Sequence, residues 1–224
     1  MALIKHHPTF ELLTLFVQGE LDESLAIAVS AHCELCEQCN EQVTLLTQQE
    51  AHQAFFTEDD ISLTSTNALD VNFDILLDDI FSSEQKPTIL SPQEPKEIKV
   101  QGKYFSLPKA LNNYDIQEWK QIAGVSRASL NQNNLLRSNL LYIEANKAIP
   151  EHTHQGFELT LLLSGSFRDQ CGEYQAGDFI WLDEKCSHSP KTTEGCLCYT
   201  VQNAPISFTQ GVNRLINPFT TMLY

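Results

Sequence analysis

The chain has 224 residues, 42% of them hydrophobic and 19% charged, which leaves room for two modest globular domains. No apolar run nears the ~20 residues of a bilayer-spanning helix, and no basic-then-apolar export signal opens it, so a cytoplasmic protein without a membrane partner is expected. The net charge of −15 is uneven, with 18 Asp/Glu against 4 Lys in residues 1–99 and 11 against 10 Lys/Arg in residues 100–224; so acidic a first half repels nucleic acid and suits a basic protein surface.

Pro8 and Thr9 open the first helical pattern, with Phe10, Leu13, Phe16 and Val17 on one face and Gly19 at its end. Asp22 has the side chain of an N-cap for a second helix, whose stripe runs Leu25, Ala28, Val29 and His32. A third helix carries Cys36, Cys39, Val43 and Leu46 on one face. Residues 57–67 are polar and read as a loop, and residues 68–81 as an amphipathic helix with acidic residues opposite its apolar face. Pro87, Pro92 and Pro95 then interrupt regular structure. Past residue 100, short β-branched and aromatic runs at 139–144, 158–163, 178–182 and 197–201 alternate with turn residues, as in a barrel or sandwich.

Seven cysteines are an odd number, in two groups: Cys33, Cys36 and Cys39, then Cys171, Cys186, Cys196 and Cys198. Close spacing without an export signal points to metal binding or redox chemistry rather than to a disulfide framework. His32, Cys36 and Cys39 form an HxxxCxxC pattern that shares one helix face, and the CxxC remains a chelating turn if the helix breaks there. Imidazole and thiolate suit tetrahedral zinc, and the fourth ligand can come from His6 or His7. About 55 helical residues have little core of their own, so structural zinc would add folding free energy. The same residues could instead be small buried hydrophobes beside a hydrogen-bonded histidine.

The stretch KHHPTFELLTLFVQGELDESLAIAVSAHCELCEQC resembles the zinc-binding anti-sigma domain of the ChrR family of anti-sigma factors. The resemblance implies one zinc held by His7, His32, Cys36 and Cys39.

In the second half, His152, His154 and Glu158 form an HxHxxxE pattern with Gly165 seven residues beyond, and His188 follows. Strand alternation puts His152 and His154 on one face, and Gly156 permits a turn that brings Glu158 beside them. Three imidazoles and a carboxylate inside a barrel suit zinc or another divalent metal. The pattern is similar to the two cupin motifs. The second departs from its usual form, with Asp183 in place of proline and Lys185 in place of glycine. The ChrR family joins the two parts in the same order, and Cys196 and Cys198 resemble its cysteine pair. From the residues alone, those two thiols read equally as an oxidant-responsive pair or as small core residues.

The expected fold is therefore a two-domain α + β chain. Residues 1–85 form a helical zinc-binding bundle, 86–100 a linker, and 101–224 an all-β cupin barrel, the double-stranded β-helix. The resemblance implies an anti-sigma factor, a non-enzymatic regulator of transcription. It would hold an extracytoplasmic-function-type (ECF-type) sigma factor, while the cupin senses an oxidative signal such as singlet oxygen or peroxide. The alternative is a metal-dependent cupin enzyme of the dioxygenase or isomerase class with an accessory zinc module.

Overall fold

A computed structural model describes residues 3–56, 73–82, 94–130 and 136–209. Its first part is helical. Helix α1, Phe10–Gln18, starts where the Thr9 hydroxyl accepts the Leu12 N–H at 3.2 Å, and it stops at Gly19, whose φ of 74° no β-carbon obstructs. Helix α2, Glu23–Leu35, starts where the Asp22 carboxylate accepts the Ser24 N–H at 2.9 Å. Cys36 is extended and ends α2, so the expected run of one face from His32 through Cys39 is interrupted at the first cysteine. Helix α3, Glu37–Phe56, resumes at once and packs on α1 and α2. Helix α4, Phe73–Ser82, overlaps the amphipathic stretch expected at 68–81 and runs one residue past it. The polar loop expected at 57–67 and most of the expected linker lie outside the described residues.

From residue 97 the regular structure among the described residues is strand, apart from one 3-10 turn. Strands β1, Glu97–Val100, and β2, Lys103–Ser106, form a hairpin, so the last residues assigned to the linker belong to a sheet. A 3-10 turn at Lys109–Leu111 follows. The main sheet contains β3 (Lys120–Ile122), β4 (Val125–Ser129), β5 (Arg137–Ile143), β7 (Glu158–Arg168), β8 (Glu173–Gln175), β9 (Phe179–Leu182) and β10 (Cys196–Gln202). Its order is β3-β4-β5-β10-β7-β8, with β9 also on β7, and every pairing is antiparallel. Strand β6, His152–His154, pairs with β11, Ile206–Phe208. The α-then-β division expected from the sequence is the division observed.

Strands β7 and β10 are covered on both faces, which explains their near-continuous apolar runs. Leu159, Leu161, Leu197, Tyr199 and Val201 share one buried cluster with Leu13, Ile27, Ala28, Val29 and Leu46 of the helices. Their alternate residues Leu162, Cys196 and Cys198 join Phe167, Tyr174 and Ile180 in a second cluster. The helical part is thus packed onto the outside of the sheet rather than merely tethered to it.

Polar contacts complete that junction. The Glu34 carboxylate accepts the Lys109 and Ala110 N–H groups, each at 2.7 Å, capping the 3-10 turn. The Tyr199 hydroxyl donates to the Ser24 carbonyl at 3.0 Å. The Asp178 carboxylate accepts the Lys5 and His6 N–H groups at 2.8 and 3.0 Å, and the Phe179 N–H donates to the His6 carbonyl at 2.9 Å.

Candidate metal centres

His7, His32, Cys36 and Cys39 meet between the N-terminal strap, α2 and α3, with ligand atoms within 4.8 Å of one another. The α2–α3 break turns the Cys36 sulfur back toward His7 Nδ1, at 3.5 Å, and the Cys39 sulfur lies 3.3 Å from the same nitrogen. His32 is fully buried, and its Nδ1–H donates to the Gly177 carbonyl at 2.8 Å. That bond fixes the tautomer and leaves the Nε2 lone pair facing the cluster, where it has no hydrogen-bond partner. An orphaned, buried imidazole nitrogen beside two thiols fits a soft divalent metal.

Electrostatics point the same way. Burial lowers the His32 pKa to about 4, with neighbouring His7 adding to the effect, so the imidazole is neutral as a ligand must be. Burial pushes the Cys39 thiol up to about 12, with Cys36 beside it contributing. A bound cation would reverse that cost by stabilising both thiolates.

His6 and His7 are equivalent by sequence but not in space. The His6 carbonyl bonds to β9, and its ring packs against Tyr174 with centroids 4.9 Å apart. His7 alone of the two joins the cluster. Cys33 points elsewhere, half-buried at a groove lined by Phe16, Ser30 and Val43.

The second group, His152, His154, Glu158 and His188, is buried at every position. Strand alternation along β6 presents both HxH rings, and β7 begins at Glu158. His188 is brought in by paired backbone bonds with His152, 3.0 Å in each direction. Nε2 of His188 lies 3.1 Å from Nε2 of His154. His188 Nδ1–H donates to Asp169 at 3.0 Å and His152 Nδ1–H to the Pro150 carbonyl at 2.9 Å, so both rings turn Nε2 inward. His154 Nδ1 is 3.1 Å from Glu158 Oε2 but out of hydrogen-bond alignment, so it too is a buried nitrogen without a donor or acceptor.

Glu158 accepts hydrogen bonds from the Thr160 hydroxyl at 2.8 Å and the Gln202 amide at 2.7 Å. Burial works to raise its pKa, but the three imidazoles outweigh it and hold the carboxylate ionised. Burial lowers the His152 pKa to about 4, with His188 next to it adding to the effect. Three imidazoles and one carboxylate, converging on one buried spot, form a donor set for a divalent metal.

The departures from the second cupin motif have a local explanation. The Asp183 carboxylate accepts the Lys185 N–H at 3.0 Å and its carbonyl accepts the Cys186 N–H at 3.1 Å, an Asx-type turn in place of a proline–glycine one. Gly165, the motif glycine on β7, has φ +80°, and a β-carbon there would stand 2.1 Å from the Gly195 carbonyl oxygen. Cys196 and Cys198 lie buried in the barrel cluster. Their mutual hydrogen bond, followed by burial, holds the Cys198 thiol well above its ordinary range. Sequence reasoning missed Asp169 behind His188 and the contacts that the Gly177–Asp178 turn makes behind the first centre. The glycine–aspartate pair was visible as a turn signal, but its contact with the N-terminal strap is long-range.

Residues 109–206 match the family model of the ChrR cupin-like domain. The chain is 27% identical over 219 residues, 96% of its length and 98% of the relative's, to the anti-sigma-E factor ChrR of Cereibacter sphaeroides. It also superposes with a TM-score of 0.65, at 25% identity over 89% of this chain and 99% of the other, on a chain in the crystal structure of Rhodobacter sphaeroides SigE in complex with the anti-sigma ChrR. The chain resembles ChrR in both its helical and its barrel part. Among the described residues, no helix is long and apolar enough to cross a membrane.

Proposed function

We propose, from this likeness to ChrR along nearly the whole chain, that the protein is an anti-sigma factor that binds and inhibits an ECF-type sigma factor. The observation that carries the reading is the superposition on a chain of the SigE–ChrR complex. It is supported by the meeting of His7, His32, Cys36 and Cys39 in one metal-capable group of the helical part. Zinc at that group would supply no reaction; it would join the N-terminal strap to α2 and α3 and hold the helices in register. Residues 1–85 would then present the inhibitory surface, 86–100 would link, and 101–224 would form the sensing barrel. Leu77 and Phe81 of α4, four residues apart on one side of the helix, are exposed, and with the acidic charge of this half they offer apolar surface to a basic partner.

The barrel group His152, His154, Glu158 and His188 would hold zinc or another divalent metal, and burial of every ligand suits a structural or sensing ion. An oxidative signal received there would release the sigma factor, in the cytoplasm, by shifting the packing of barrel against helices. The expected result of co-expressing the chain with ECF sigma factors encoded beside it is a stable complex that copurifies and blocks transcription. Purification of the folded, metal-loaded chain without any such complex, and with transcription unimpeded, would overturn the reading.

A further inference from the structure

The cysteines that the sequence leaves without partners are brought together. Cys171 follows β7 and Cys186 precedes His188, yet their sulfurs are 2.8 Å apart. Neither belongs to either metal-capable group among the described residues. The two loops carrying them run antiparallel and are joined rung by rung. Arg168 and Lys191 exchange two backbone hydrogen bonds of 2.9 Å. Asp169 accepts from His188, and the Gln170 side chain accepts the Ser189 N–H at 2.8 Å. Cys171 and Cys186 form the last rung. The Cys171 and Gly172 N–H groups also donate to the Asp169 carboxylate, at 2.8 and 3.0 Å, so the thiol sits in the turn that aims Asp169 at His188.

Access distinguishes this pair from the others. Cys171 is exposed and Cys186 half-buried, whereas Cys196 and Cys198 are only 1% and 2% exposed. A soluble oxidant therefore meets Cys171 first. A disulfide of about 2.05 Å needs only a small closing movement from the observed separation.

We propose that Cys171 and Cys186 are a peroxide-reactive dithiol, whose oxidation makes covalent the last rung between the loop that orients His188 and the loop that carries it. The Cys171 sulfur attacks a hydroperoxide, the O–O bond breaks, an alcohol leaves and a sulfenic acid remains. The Cys186 sulfur then attacks that sulfur, the S–S bond forms and water leaves. The peroxide gains two electrons and the two thiols together lose two. The step depends neither on a sigma factor nor on a metal in the barrel.

The test uses the full-length purified protein with its metals, titrated with tert-butyl hydroperoxide and mapped as non-reduced peptides by mass spectrometry. The expected result at one equivalent is a dithiothreitol-reversible link between the Cys171 and Cys186 peptides, in more than half of the molecules. In a Cys171→Ser protein of unchanged circular dichroism, the Cys186 peptide is expected to remain unlinked to any other cysteine. A first link between Cys196 and Cys198 or between Cys36 and Cys39, or no link to Cys186 after tenfold excess, would overturn the proposal.

Discussion

His32 and His152 are each buried as neutral rings, with one nitrogen bonded to a backbone carbonyl. In both, burial takes the pKa from 6.5 to about 4. Between those values the unfolded chain binds a proton that the folded chain refuses, so stability rises with pH across that window. The contribution is complete above pH 6.5 and is lost as pH falls toward 4, up to about 3 kcal/mol for each histidine. Bound metal acts in the same direction, because protons compete for the same nitrogens. Urea midpoints measured from pH 7.5 to 4.5 are expected to hold level to about pH 6.5 and then drop steadily. A midpoint unchanged down to pH 4.5 would contradict the assignment of these rings as buried and neutral. Gly165 is fixed by sterics. A β-carbon clashes with the Gly195 carbonyl at a positive φ, so Gly165→Ala is expected to cost about 2–4 kcal/mol in a chemical melt of the barrel.

At the scale of elements, α4 and α2 use apolar residues differently. Most of the α2 stripe is buried against the sheet and α3, as Ala28 and Val29 show. On α4, Ile75 is 61% and Phe81 80% exposed. Exposed apolar residues on a short amphipathic helix contribute little to the fold and much to an interface. The double change Leu77→Asp and Phe81→Asp is therefore expected to leave the melting temperature within about 2 °C. The same change should weaken sigma-factor binding at least tenfold in a titration calorimeter. Undiminished affinity would remove α4 from the proposed interface. The periodicity of α1, α2 and α3 was readable because most of each stripe lies on a buried or half-buried face, with Phe10, 62% exposed, outside it. The sequence allowed a helix break at the CxxC without placing it; it falls at Cys36, which is extended between α2 and α3.

For the whole molecule, the relevant fact is the shared cluster joining helices and sheet. A fragment of residues 1–100 would keep the zinc ligands but expose Ile27, Ala28 and Val29, which the barrel strands help to cover. It is expected to remain helical with zinc and to lose helicity when chelated, whereas the full chain keeps its strand signal under the same chelator. Circular dichroism of both, with and without a strong chelator, measures this. In a reporter driven by the partner sigma factor, the fragment is expected to inhibit yet fail to respond to peroxide. Normal induction through the fragment would move sensing out of the barrel.

Local order was legible in the chain because it rests on local rules. Helix stripes, N-caps at Thr9 and Asp22, strand alternation and the spacing of HxxxCxxC and HxHxxxE all act within about ten residues. They carried the order of helices then strands, and the His32, Cys36, Cys39 and the His152, His154, Glu158 parts of the two metal-capable groups. Three matters lay beyond their reach: the choice of His7 over His6, the meeting of Cys171 with Cys186, and the seating of α2 on β10. Each is decided by a long-range contact. His6 is drawn off by its backbone bond to Phe179, the thiols by the antiparallel run of two loops, and α2 by apolar surface on the outer face of strands whose inner face already lines a core. Such contacts depend on which surfaces remain uncovered once the sheet has closed, and that is a property of the assembled fold rather than of any stretch of sequence.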